Sequence, residues 1–210
     1  EDGIVSREIL DSLRREYGLD QPIYVQYFDA LSRLVRLDLG TSFHTGEPVA
    51  VMVKNALPYS LQLTCTAMVL AVVGGLIAGI TSAIKHNKWQ DSIAMVLATV
   101  GVAAPDFWLG LLLVYVFVLS LGWLPITEVG LGWRGLILPA VTLAVRPMAS
   151  IARLARASCL EVLEEDYVRT ARGKGLGERA VLLRHVLRNS LIPVVTIIGI
   201  DLAATLSNAI

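Results

Sequence analysis

The sequence predicts an all-α, polytopic membrane protein. Two observations carry this: the composition, and long charge-free apolar runs bounded by basic loops. Of 210 residues, 55% are apolar and 17% charged, against about 25% charged in a soluble domain. Mean hydropathy is strongly positive. A soluble fold has nowhere to hide that much apolar surface, and lipid is the solvent that accepts it. Formal net charge is zero, so the chain as a whole has no field that would draw in nucleic acid. It opens on Glu1-Asp2-Gly3 without a signal-peptide pattern and closes on Ile210 inside an apolar run. The expectation is therefore a piece of a longer protein. Cys65 and Cys159 lack metal-ligand spacing and are expected to be reduced packing residues rather than a disulfide.

Residues 1–58 are polar and read as an external helical region. Ser6 can cap a helix that closes at Gly18, with Ile9, Leu10, Leu13 and Tyr17 on one face. Asp20-Gln21-Pro22 starts a second helix, with Pro22 in its first turn. Tyr24, Tyr27, Phe28, Leu31, Leu34 and Val35 then repeat at helical spacing. Both helices are expected to lie on the membrane or on a partner, and Leu39-Gly40-Thr41-Ser42 ends the pattern.

A transmembrane domain is predicted over 59–210, with its first span at about 60–84, free of charge and long enough to cross the hydrocarbon core. Gly74, Gly75 and Gly79 would let a neighbouring helix come close. A second span at about 92–121 is broken by Pro105-Asp106. Such a break is tolerated only where protein or a water-filled cavity satisfies the freed backbone groups. Trp123 and Trp133 look like interfacial anchors. A third span, about 136–152, is marginal because Arg146-Pro147 falls inside it. The loop charges argue for it. Arg153, Arg156, Arg169, Arg172, Lys174, Arg179, Arg184 and Arg188 crowd the 153–190 loop, and Lys85 and Lys88 mark the earlier one. Both loops are then cytoplasmic, and two crossings must separate them. A fourth span runs over 191–210.

The 153–190 loop holds the most informative stretch. Asp166, Tyr167, Val168, Arg169, Thr170, Ala171, Arg172 and Gly173 read as a short basic helix, with Lys174, Gly175 and Leu176 as a glycine turn. Glu178 then opens a second amphipathic helix that feeds into the bilayer. A short helix offered on the cytoplasmic face suits insertion into a partner's groove. A solvated basic loop holding anionic headgroups fits the same residues.

The block from Asp166 to Val194, DYVRTARGKGLGERAVLLRHVLRNSLIPV, resembles the coupling motif of ABC importer permeases, in the branch that carries dipeptides, oligopeptides, glutathione and nickel. The segments RREYGLDQPIYVQY, DLGTSFHTGEPV, APDFWLGLLLVYVF and LGWLP resemble that branch too, in order along the chain. The general motif has Glu-Ala-Ala followed by Gly; here Arg169-Thr170-Ala171 and Gly175 stand at those places, and the Glu is absent. The resemblance implies a type I (MetI-like) transmembrane domain, part of a six-span subunit in a bacterial or archaeal inner membrane. It also implies a second permease, two ABC ATPase subunits and a periplasmic or lipid-anchored solute-binding protein. ATP and Mg would sit on the ATPases, with no cofactor on this chain. Residues 166–176 and Glu178 would contact the ATPase; Arg184 and His185 could support the loop from behind, although His185 reads first as an ordinary surface histidine. The cargo so implied is a di- or oligopeptide, with glutathione or nickel as alternatives.

Charges inside spans are costly and tend to mark pathways. The candidates are Asp106, next to the Pro105 break, Arg146, and Asp201. They would line a translocation path and receive a charged cargo group, or form a structural salt bridge. An intramembrane enzyme is disfavoured, because His44, His86 and His185 fall in expected loops and no HExxH or GxSxG occurs. A passive channel would need no ATPase-docking loop. Gly173-Lys174-Gly175 is no phosphate loop, since position 168 is Val and neither Ser nor Thr follows Lys174. Nucleic-acid binding is disfavoured by the five acids within the basic loop.

Overall fold

The computed structural model describes residues 14, 18–125 and 133–208. Among them every regular element is a helix, joined by turns, with one isolated bridge pairing Thr41 with Pro48. Two compact units are formed, 1–57 and 58–210.

The first unit holds α1 (Ile23–Val35), whose chain enters through Pro22 at the N-cap. No residue of α1 is buried, and Tyr24, Tyr27, Phe28, Leu34 and Val35 are all exposed. Asp38 then accepts from the Gly40 amide at 3.0 Å, and Ser42 Oγ accepts from the amides of His44 and Thr45. The helix expected between Ser6 and Gly18 lies almost wholly outside the described residues.

The second unit is built on α2 (Val49–Ile84) from Pro58 onward, α5 (Trp133–Glu164) and α8 (Leu187–Asn208). Among the described residues three helices are long and apolar enough to cross a membrane, the last counted from Glu178, or four if a bent pair at Pro105 is taken as one span. The buried positions of α2 include Thr64, Ala67, Met68, Ala71, Gly75 and Gly79, at helical spacing on one stripe. Its opposite face exposes Val69, Val73 and Ile77, as expected of a helix solvated by lipid. The core between helices is mostly alanine: Ala67, Ala71, Ala140, Ala144 and Ala155, with Ile151 and Val194. Lipid removes the hydrophobic drive between helices, so close van der Waals contact of small residues must hold them. A Cβ on Gly79 would lie 2.5 Å from the Ala152 carbonyl oxygen, and one on Gly75 2.8 Å from that of Met148. These glycines therefore set how closely α2 and α5 approach.

Between these helices lies a bent pair, α3 (Trp89–Ala103) and α4 (Asp106–Val114). Ala104 and Pro105 are extended, as a residue before proline must be, and the pair is bent by 106°. The stretch read as a single interrupted span at 92–121 is thus two limbs at nearly a right angle, too short to cross alone. The second limb continues as a π-helical segment, Tyr115–Ser120, and the chain turns at Gly122 with φ +63°.

Three further expectations need correction. Residues 153–164 are not loop; they complete α5, because that stretch stays packed through Ala155, Ser158 and Cys159. His185 lies within a helical π-turn, Leu182–Val186, rather than in a loop. Both cysteines are free, as expected; Cys159 is buried and donates to Ser190 Oγ at 3.2 Å, whereas Cys65, expected as a packing residue, is exposed.

Candidate functional site

After α5 the chain reverses at Glu165 and forms α6 (Asp166–Gly173) and α7 (Glu178–Val181), which runs through the π-turn into α8. Alternation of apolar and charged residues decides how α6 sits. Val168 and Ala171 are buried and join Val181, Val186, Cys159 of α5 and Ala83 of α2 in a second apolar cluster. Leu160, Leu163, Leu176 and Leu187 pack around it. This plug ties α6 to the ends of three long helices. Val168 and Ala171 therefore seat the helix and face away from any partner.

The other expected coupling residues face outward. Asp166, Arg169, Thr170, Arg172, Gly173, Lys174, Gly175 and Glu178 are exposed, Leu176 half-buried, and Tyr167 40% exposed. Arg169 reaches Asp166 at 3.5 Å, and Arg172 grips Glu178 across the turn through Nε at 3.0 Å and Nη2 at 3.4 Å. The turn itself needs Gly175, at φ +80°, where a side chain would be strained. From behind, Asn189 Nδ2 donates to the Tyr167 hydroxyl at 2.9 Å and to the His185 carbonyl at 3.0 Å. The His185 carbonyl accepts this bond, the residue is half-buried, and Arg184 is exposed.

Beside this face lies a cluster the sequence reading missed. Asp91, in the first turn of α3, is buried. It accepts from Arg156 of α5, from Ser82 Oγ of α2, and from the Asn87 amide at 3.0 Å. His86 Nδ1 lies 3.1 Å from Arg156 Nη2 and 3.3 Å from Asp91 Oδ2. Asn87 turns the chain at φ +61°, a conformation Asn tolerates. The available signal was Asp91 itself, an acid placed immediately after a basic turn.

Among the described residues no ion pair joins the candidate path residues to one another. Pro105 is exposed at the bend, and Asp106 is half-buried in the first turn of α4. Arg146 is exposed on α5, one residue before Pro147. Asp201 is half-buried on α8, and its Oδ2 is buried with no hydrogen-bond partner.

The matching protein-family model is described as "Binding-protein-dependent transport system inner membrane component" and covers residues 71–210. The chain is 43% identical over 203 residues to the glutathione transport system permease protein GsiC of Escherichia coli O6:H1. It is 42% identical to the proteins of that name from Escherichia coli K12 and Shigella dysenteriae serotype 1. In each case the match takes in 97% of this chain and 66% of the relative, so the chain spans just under two thirds of their length. A helical bundle packed on small residues, with a helix seated across its ends by an apolar plug, is thus joined to a family match over most of the chain: the protein belongs to the binding-protein-dependent transport system inner membrane components.

Proposed function

We propose that this chain is the membrane-spanning permease subunit of an ATP-driven ABC importer for peptide-like solutes, and that α6 couples it to the ATPases. The observation that carries this is the two-sided build of α6. Its apolar side is locked into the ends of α2, α5 and α8, and its charged side is left free. A rigid element so mounted transmits displacement in both directions. ATP-driven closure of a partner would push on Asp166, Arg169 and Arg172. The buried Val168 and Ala171 would pass that movement to the long helices.

The assembly that fits comprises a second permease, two ABC ATPases carrying ATP and Mg, and a solute-binding protein that delivers cargo. This chain would do no hydrolysis of its own, since its Gly173-Lys174-Gly175 turn lacks the hydroxyl residue a phosphate loop needs. Di- and oligopeptides are the leading cargo. Glutathione, itself a small peptide, is the second reading, favoured by the names of the relatives.

The test is purification of the full-length protein with its own host's ATPases, followed by uptake and ATPase assays in proteoliposomes. Co-purification of two ATPases and a second permease supports the proposal, provided Arg172→Glu separates hydrolysis from uptake. A chain that runs alone or as a homo-oligomer, with no ATPase, overturns it in favour of a channel or scaffold.

A further inference from the structure

An apolar groove lies between α3 and α5 and takes no part in the coupling reading. Its volume is about 480 Å³, and it is lined by Ile93, Ala94 and Leu97 of α3, Val145 and Ala152 of α5, and Ala78 of α2. Size and lining are those of a small-molecule site. Small residues create it, since α3 presents Ala94, Ala98 and Gly101 to the groove. At Gly101 the two helices touch: a Cβ there would lie 3.2 Å from Ala149 Cβ and from Val145 Cγ1. Ile93 and Leu97 remain exposed, so the groove opens on the side where lipid meets the protein.

One end of the groove is charged. Trp89 and Gln90, in the first turn of α3, line that end together with Ala152. The bond from Arg156 to Asp91 sets the first turn of α3 level with the 153–156 turn of α5. Lys88 directly precedes Trp89, and Arg153 directly follows Ala152. Lys85 follows the end of α2, where Ser82 reaches the same Asp91. All three cations are exposed, and among the described residues no ion pair takes up any of them. Asp91 is the only acid within 76–105 and 145–160, and Arg156 already neutralises it.

An apolar slot that ends in three unanswered cations selects an occupant with a hydrocarbon chain and an anionic head. A passing helix would cover the apolar walls and leave the cations unanswered. At about 10 Å across, it is also too broad to enter between helices that touch at Gly101. A free anion would answer the cations and leave the slot empty.

We propose that the groove between α3 and α5 binds an anionic phospholipid, with an acyl chain along Ala94 and Ala98 and the phosphate head at Lys85, Lys88 and Arg153. Trp89, 69% exposed at the charged end, stands where an interfacial tryptophan meets lipid headgroups. The lipid would lie beside the Asp91–Arg156 pair, at the junction of α2, α3 and α5. The inference rests on the chain's place in the membrane and is independent of the cargo.

The experiment uses the complete transporter in phosphatidylcholine vesicles containing phosphatidylglycerol with a photoreactive diazirine in its acyl chain. A parallel sample carries the same label on phosphatidylcholine. After illumination, mass spectrometry locates the labelled peptides. Phosphatidylglycerol label is expected to concentrate on residues 89–101 and 145–152. Each basic residue near an anionic surface is worth about fivefold in binding. The triple variant Lys85→Gln, Lys88→Gln, Arg153→Gln should therefore lower that label about tenfold or more, to the level of phosphatidylcholine. Ala94→Phe, which fills the slot, should lower it as well. Subunit stoichiometry and the thermal midpoint, read on the same samples, report folding. Equal labelling of the wild-type groove by the two lipids overturns the proposal, as does undiminished phosphatidylglycerol label in an assembled triple variant. Absence of label from both peptides, with protein cross-links there instead, overturns it in favour of another helix. If the triple variant does not assemble, the comparison of the two lipids on wild type decides alone.

Discussion

Arg156 holds Asp91 through one edge of its guanidinium, with two parallel bonds: Nε donates to Oδ1 at 2.6 Å and Nη2 to Oδ2 at 2.8 Å. The residues are 65 positions apart, one on α3 and one on α5. Ser82 of α2 and the Asn87 amide complete the carboxylate's shell. One acid therefore ties three helices together at the turn that separates α2 from α3. Breaking such a pair is costly, because the surviving partner is left buried or half-buried without a counter-charge. Asp91→Ala should destabilise the protein by about 3 kcal/mol, seen as a lower midpoint of thermal unfolding in detergent. Arg156→Lys should cost less than Arg156→Ala, since it keeps the charge and loses the fork. Equal midpoints for Asp91→Ala and wild type would show the pair to be incidental.

The contact of Gly79 with the Ala152 carbonyl predicts a steric effect of the opposite kind. No Cβ fits 2.5 Å from a backbone oxygen, so Gly79→Val must push α2 away from α5. Overpacking of this kind costs about 1–3 kcal/mol. A thermal shift assay on purified protein checks it. Gly199→Val is the control, because a Cβ there meets no atom of this chain within 4 Å.

The two sides of α6 should separate when mutated. Val168 is fully buried in the apolar plug, so Val168→Asp buries a charge and should unseat the helix. Lower thermal stability and weaker ATPase co-purification are the expected readouts. Arg172 is exposed and paired with Glu178, and surface pairs contribute at most about 1 kcal/mol. Arg172→Glu should therefore leave stability nearly unchanged while reducing ATP-driven uptake. A large stability loss in Arg172→Glu would make its role structural.

The Tyr167 hydroxyl accepts from Asn189 at 2.9 Å, in a partly exposed setting. Tyr167→Phe should cost under about 1 kcal/mol, the usual net worth of one hydrogen bond, and should be silent in uptake if the hydroxyl only braces the turn. Loss of uptake at unchanged stability would make the hydroxyl part of the docking surface.

Much of this protein follows from sequence alone. Composition and the charge-free runs dictate helices in lipid, because only a helix satisfies its own backbone there. The apolar spacing of Val168 and Ala171, with Gly175 behind them, marks a short helix and its turn. Pro105 marks a break, because proline and the residue before it leave helical geometry. Other features depend on which helix lies beside which, and linear order does not encode that. The 106° bend at Pro105 is set by packing of both limbs. The continuation of α5 through Glu164 is set by the cluster around Cys159, which outweighs the basic residues that read as loop. Arg156 looked like one more loop charge until the fold placed it against Asp91. Asp201 was visible as a charge within a span, but only the packing of α5 on α8 left its Oδ2 buried and without a hydrogen-bond partner. The sequence determined what each segment is, because backbone and lipid act locally. Tertiary structure decided which charges meet, because pairing is a matter of distance between residues far apart in the chain.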